Sequence, residues 1–84
     1  MTPAELRLAF LDELTRVAPD IAADQVGEDD HIQNDLGLDS MDVLNLVSAL
    51  HRRLGIDIPE VDYPRIATLR EAVKYLAGRQ TAAT

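Results

Sequence analysis

The chain has 84 residues, 46% of them hydrophobic, with one Phe, two Tyr and no Cys, so it holds a single domain with neither a disulfide nor a thiolate metal site. Folding at this length buries roughly two-thirds of the unfolded surface, too little interior for both a core and an enclosed catalytic pocket, which argues against an independent enzyme. Fifteen acidic against eight basic residues leave a net charge of -7, which opposes binding to nucleic acid and to anionic lipid.

The aliphatic-rich composition favours helices over sheets. Thr2, Pro3 and Glu5 form a helix start, with Thr as N-cap, Pro at the first helical position and Glu at the third after the cap. Leu6, Phe10, Leu14 and Val17 then carry one apolar stripe to about Ala18, and Pro19 ends the helix. The stretch from Pro19 to Leu38 is rich in Asp, Asn and Gly and fits neither helical nor strand period, so it reads as a long loop pinned by Ile32, Leu36 and Leu38. Gly37 supplies a positive φ, Asp39 an N-cap and Asp42 a negative charge in the first turn of a second helix running from Ser40 to Leu54, which Gly55 stops.

On a helical wheel Val43, Leu46, Val47, Leu50 and Leu54 share one face, with Leu44 at its margin, while Met41 lies opposite among Asn45, Ser48 and Arg52. Pro59 and Pro64 limit the next segment to a turn or one brief helix. Thr68 and Glu71 form a second capping box, Leu69, Val73 and Leu76 carry a stripe to Gly78, and residues 79–84 read as a disordered tail with nothing to bury. The expected architecture is all-α: a small bundle of three main helices over residues 1–78, room for one short extra helix, and a long loop between helices one and two. No apolar run approaches the roughly 20 residues of a membrane span, no secretory signal is visible, and two isolated histidines make no metal motif, so a cytoplasmic, metal-free monomer is expected.

Ser40 is the candidate functional residue. Asp39 already supplies the capping oxygen, so the serine hydroxyl is free to point outward, beside backbone N–H groups that favour an esterified phosphate. A nucleophilic role lacks support: His51 lies about 16 Å along the same helix at 1.5 Å per residue, and His31, although in the neighbouring loop, comes without an oxyanion-hole motif or an orienting third group. Charge is segregated as well. Eight Asp or Glu and no Lys or Arg fall between Val17 and His51, whereas six bases and four acids follow from Arg52 onward. The negative field therefore centres near Ser40.

The run Asp35-Leu36-Gly37-Leu38-Asp39-Ser40-Met41 resembles the phosphopantetheine attachment motif of acyl carrier proteins, and the likeness extends through Leu44-Asn45-Leu46-Val47, Leu50, Ile56-Asp57-Ile58-Pro59 and Ile66-Ala67-Thr68-Leu69. That resemblance implies a non-enzymatic carrier whose Ser40 bears a covalent 4'-phosphopantetheine, with acyl groups held on it as thioesters. It also implies partner recognition through Asp39, Met41, Asp42 and Asn45, and a cavity for acyl chains lined by Val43, Leu46, Val47 and Leu50. The implied partners are a phosphopantetheinyl transferase and acyl-loading or acyl-processing enzymes with basic docking patches.

The chain departs from many fatty-acid carriers in having Asn45 and then His51-Arg52-Arg53 where glutamates continue the acidic face, which favours a polyketide or other specialised acyl pathway. Met after the serine is shared with D-alanyl carriers. Leu38-Asp39-Ser40 favours acyl cargo over the peptidyl type, and the Met1-Thr2-Pro3 start favours a free-standing protein. The alternative outside the family is an acidic helical interaction module with no prosthetic group.

Overall fold

A computed structural model describes residues 1–82, with side chains through residue 80. The three main helices are α1 (Pro3–Val17), α2 (Ser40–Leu54) and α3 (Leu69–Ala82), joined by short 3₁₀ segments at Ala23–Gln25 and Glu60–Ile66. Among the described residues there is no strand, only an isolated antiparallel bridge between His31 and Thr68. The all-α bundle expected from composition and periodicity is the observed one.

Local chemistry sets the helix starts. Thr2 Oγ1 accepts from the Glu5 N–H at 3.2 Å while Glu5 Oε1 accepts from the Thr2 N–H at 2.8 Å, closing the first capping box. Asp39 and Asp42 repeat it at α2, with Asp39 Oδ1 accepting from the Asp42 N–H at 2.8 Å and Asp42 Oδ2 accepting from the Asp39 N–H at 3.2 Å. At α3 the arrangement differs from a full box. Thr68 Oγ1 accepts from the Glu71 N–H, but Glu71 Oε1 takes the Thr68 hydroxyl, both at 3.2 Å. Gly37 and Gly55 hold φ of 82° and 69°, the left-handed values that admit the chain to α2 and end it.

Leu6, Phe10 and Leu14 of α1, Leu46 and Leu50 of α2, and Leu69 and Leu76 of α3 have no exposed surface and form the centre of the core. Helix α1 packs against both α2 and α3, and the 3₁₀ segment 60–66 packs on α3, whereas the backbones of α2 and α3 do not approach one another. The long loop closes over the core through Val26, Ile32 and Leu38, with Leu36 half-buried, and it is stitched to the start of α3 by Ile32 N–H to Ala67 O at 2.8 Å and Arg70 N–H to Glu28 O at 3.0 Å. Its aspartates explain how it dispenses with regular structure: Asp30 accepts from the Gly27 N–H and Asp35 from the His31 N–H, each at 2.8 Å.

One expectation needs correction. Helix α3 does not stop at Gly78 but continues to Ala82, and of the tail expected over 79–84, residues 83 and 84 lie outside the described residues. The reason is that this turn has partners after all. The Arg79 guanidinium donates to Asp57 O at 2.8 Å and lies 5.8 Å from the Tyr75 ring centre, and Gln80 Nε2 donates to Met1 O at 2.7 Å. The brief helix expected between α2 and α3 forms as the 3₁₀ segment Glu60–Ile66, with Pro64 inside it.

Candidate functional site

Ser40 is exposed at the first position of α2, and its hydroxyl makes no hydrogen bond among the described residues, because the capping is done by Asp39. It borders an open groove of about 660 Å³ between α2 and the 3₁₀ segment 60–66. The groove is lined by Met41, Val43 and Leu44 of α2, by Tyr63, Pro64 and Ala67, and by the loop residues His31 to Gln33. The lining is largely apolar, with Glu60 and Glu71 as its charged members.

The sequence-derived recognition residues fall together. Asp39, Met41 and Asn45 are exposed along the first turns of α2, with Met41 63% exposed, while Asp42 is half-buried in its capping box. The four residues assigned to a chain cavity all belong to the buried core cluster. Val43 also reaches the groove wall, and Leu46, Val47 and Leu50 are packed in the core. The groove is built more from Leu44, Tyr63 and Pro64 than from the buried stripe. Leu44, 45% exposed, was foreshadowed by its marginal place on the wheel; Val61, 83% exposed on the 3₁₀ segment, carried no periodic signal.

The acidic run divides by role. Glu28 pairs with Arg7, and the Arg70 guanidinium holds Asp29 at 2.9 Å, a hydrogen bond that pushes the Asp29 carboxyl below its ordinary range. Asp30, Asp35, Asp39 and Asp42 accept from backbone N–H groups, the last two at the start of α2 on either side of Ser40. At the opposite end of α2, Arg53 reaches back to α1 and pairs with Glu13 at 2.9 Å and Asp12 at 3.2 Å. Glu13, only 6% exposed, is a buried carboxylate that periodicity gave no reason to single out. The groove's 3₁₀ wall is tied to α3 by the Tyr75 hydroxyl, which donates to Asp62 Oδ2 at 2.7 Å; burial, and then this bond, raise the Tyr75 pKa.

Among the described residues no cluster of His and acidic side chains is placed to hold a metal ion, and no helix is long and apolar enough to cross a membrane. A free, exposed hydroxyl at a helix start, bordering an open groove, fits covalent attachment of an anionic prosthetic group.

The family model described as a phosphopantetheine attachment site matches residues 9–76. An acyl carrier protein of Sulfurovum sp. (strain NBC37-1) is 36% identical over 72 residues, covering 82% of this chain and 96% of that protein. An acyl carrier protein of Streptomyces coelicolor (strain ATCC BAA-471 / A3(2) / M145) is 35% identical over 66 residues, covering 79% and 72%. Fold, site and matches together define a carrier with a covalently attached 4'-phosphopantetheine, not an enzyme. The chain belongs to the acyl carrier protein family.

Proposed function

We propose that Ser40 is the attachment residue and that this chain presents acyl groups to a dedicated set of enzymes in a polyketide or other specialised acyl pathway. The observation that carries the attachment reading is the serine itself: exposed, without a hydrogen-bond partner among the described residues, and opening on the groove between α2 and the 3₁₀ segment 60–66. When bound, the arm supplies a terminal thiol that holds the acyl group as a thioester. The protein's own residues do the positioning. Asp39 and Asp42 fix the start of α2 and keep negative charge beside the serine, Gly37 turns the loop into it, and the groove offers the arm a surface to lie against.

The partners this arrangement suits are a phosphopantetheinyl transferase and acyl-processing enzymes that carry basic patches around an apolar contact for Met41 and Leu44. The pathway reading rests on the far half of α2, where His51 and Arg52 are exposed and Arg53 is engaged with α1, so the acidic face is confined to the end that holds Ser40. Incubation with a phosphopantetheinyl transferase and coenzyme A, followed by peptide mass spectrometry, tests the attachment. One addition on the peptide containing Ser40 is expected, and an addition elsewhere, or none, contradicts it.

A further inference from the structure

The imidazole of His31 is tied down by the chain that follows it. Its Nδ1 accepts from the Gln33 N–H at 3.2 Å and from the Asn34 N–H at 3.1 Å, while the His31 N–H donates to Asp35 Oδ2 at 2.8 Å. The same residue forms the backbone bridge to Thr68 at the start of α3. A ring nitrogen that accepts two backbone N–H groups carries no proton, so the neutral ring holds its proton on Nε2. That Nε2–H has no partner among the described residues, and no unpartnered side-chain nitrogen is buried, so it is open to solvent on a residue that lines the groove bordered by Ser40.

The groove's other polar groups differ in kind. Glu60 and Glu71 accept only when ionised, no Lys or Arg lines the groove, and the Gln33 amide and Tyr63 hydroxyl have no hydrogen bond that fixes them among the described residues. His31 is therefore the donor whose direction is set before anything binds. A fixed donor orders a ligand without the entropic cost of ordering itself.

We propose that His31 is a positioning residue for the arm, its Nε2–H donating to an oxygen acceptor of the phosphopantetheine group, either a phosphate oxygen or an amide carbonyl. This rests on the assignment of the arm to Ser40. The test is imidazole ¹H–¹⁵N correlation on ¹⁵N-labelled protein, before and after loading with unlabelled phosphopantetheine, with full loading verified by intact mass. Before loading, the proton is expected on Nε2. After loading, the Nε2 resonance is expected to move and its proton to exchange with water roughly fivefold more slowly, the factor that one net hydrogen bond gives. His31→Asn retains an acceptor for the turn and has nothing in place of Nε2, so it is expected to melt near the parent while the arm's methylene resonances move towards those of free phosphopantetheine.

A ³¹P shift between the loaded parent and loaded His31→Asn identifies phosphate as the acceptor. An unchanged ³¹P resonance together with a moved Nε2 identifies a carbonyl. A proton found on Nδ1, or full loading with Nε2 shift and exchange unchanged, overturns the proposal while leaving Ser40 standing. Absence of loading overturns the Ser40 assignment and this proposal with it.

Discussion

The two ends of α2 are made of different material. Its first turns expose Ser40, Met41 and Leu44 beside an open groove and are held by carboxylates that bind backbone N–H groups. Its middle turns bury Leu46, Val47 and Leu50 against the core, and its last turn is anchored to α1 by Arg53 on Asp12 and Glu13. One helix thus separates the proposed attachment residue from the groups that keep the fold, and the substitutions that matter for each should be distinguishable.

The sharpest way to break that contrast is to truncate one apolar side chain in each part. Leu50→Ala, at a site with no exposed surface, is expected to cost about 2–5 kcal/mol in denaturant melts, whereas Met41→Ala, 63% exposed, should cost less than about 1 kcal/mol. A comparable loss at Met41 would place it in the core and erase the distinction.

Tyr75→Phe tests whether the groove wall has a tie of its own. Losing a hydroxyl that donates to the Asp62 carboxylate is expected to cost about 1.5–3 kcal/mol near neutral pH. Because burial first, and then the bond to Asp62, raise the Tyr75 pKa above its unfolded value, the folded state holds this proton more tightly. The contribution is full below the free tyrosine pKa of about 10 and is lost as pH rises through the folded value, so the gap between parent and variant should close in alkaline melts. A gap that widens there contradicts the assignment.

Asp39→Ala removes the cap that leaves Ser40 free, and about 1 kcal/mol of stability is expected to go with it, read from the same melts. The smallest effects should have opposite signs at two glycines that both have open space around a new Cβ. At Gly37, with φ of 82°, alanine is expected to cost about 1 kcal/mol. At Gly78, inside α3 without a positive φ, it is expected to add about 0.5–1 kcal/mol.

Gly78 also shows where sequence reading met its limit. Glycine after an apolar stripe is the ordinary mark of a helix end, and at Gly55 that rule holds. At Gly78 it fails because Arg79 and Gln80 find acceptors on Asp57 and Met1, residues far along the chain that no local pattern brings near. The starts of α1 and α2, the phase of α2 and the exposure of Met41 were legible because caps and periodicity are local. The Glu13–Arg53 pair and the groove wall formed by Tyr63 and Pro64 depend on tertiary packing. His31 is the histidine that the sequence places in the loop before Ser40. Its ring caps its own turn through Nδ1, a role that serine or threonine more commonly fills and that residue type alone did not signal.

The most direct test of the separation within α2 is Ser40→Ala, measured in one preparation by intact mass after treatment with a phosphopantetheinyl transferase and coenzyme A, and by thermal melting. Because the hydroxyl has no hydrogen-bond partner among the described residues and the cap belongs to Asp39, the variant is expected to melt within a few degrees of the parent and to gain no mass. A variant that still gains the arm, or that unfolds at a markedly lower temperature, would contradict the account of Ser40 as the attachment residue held apart from the core.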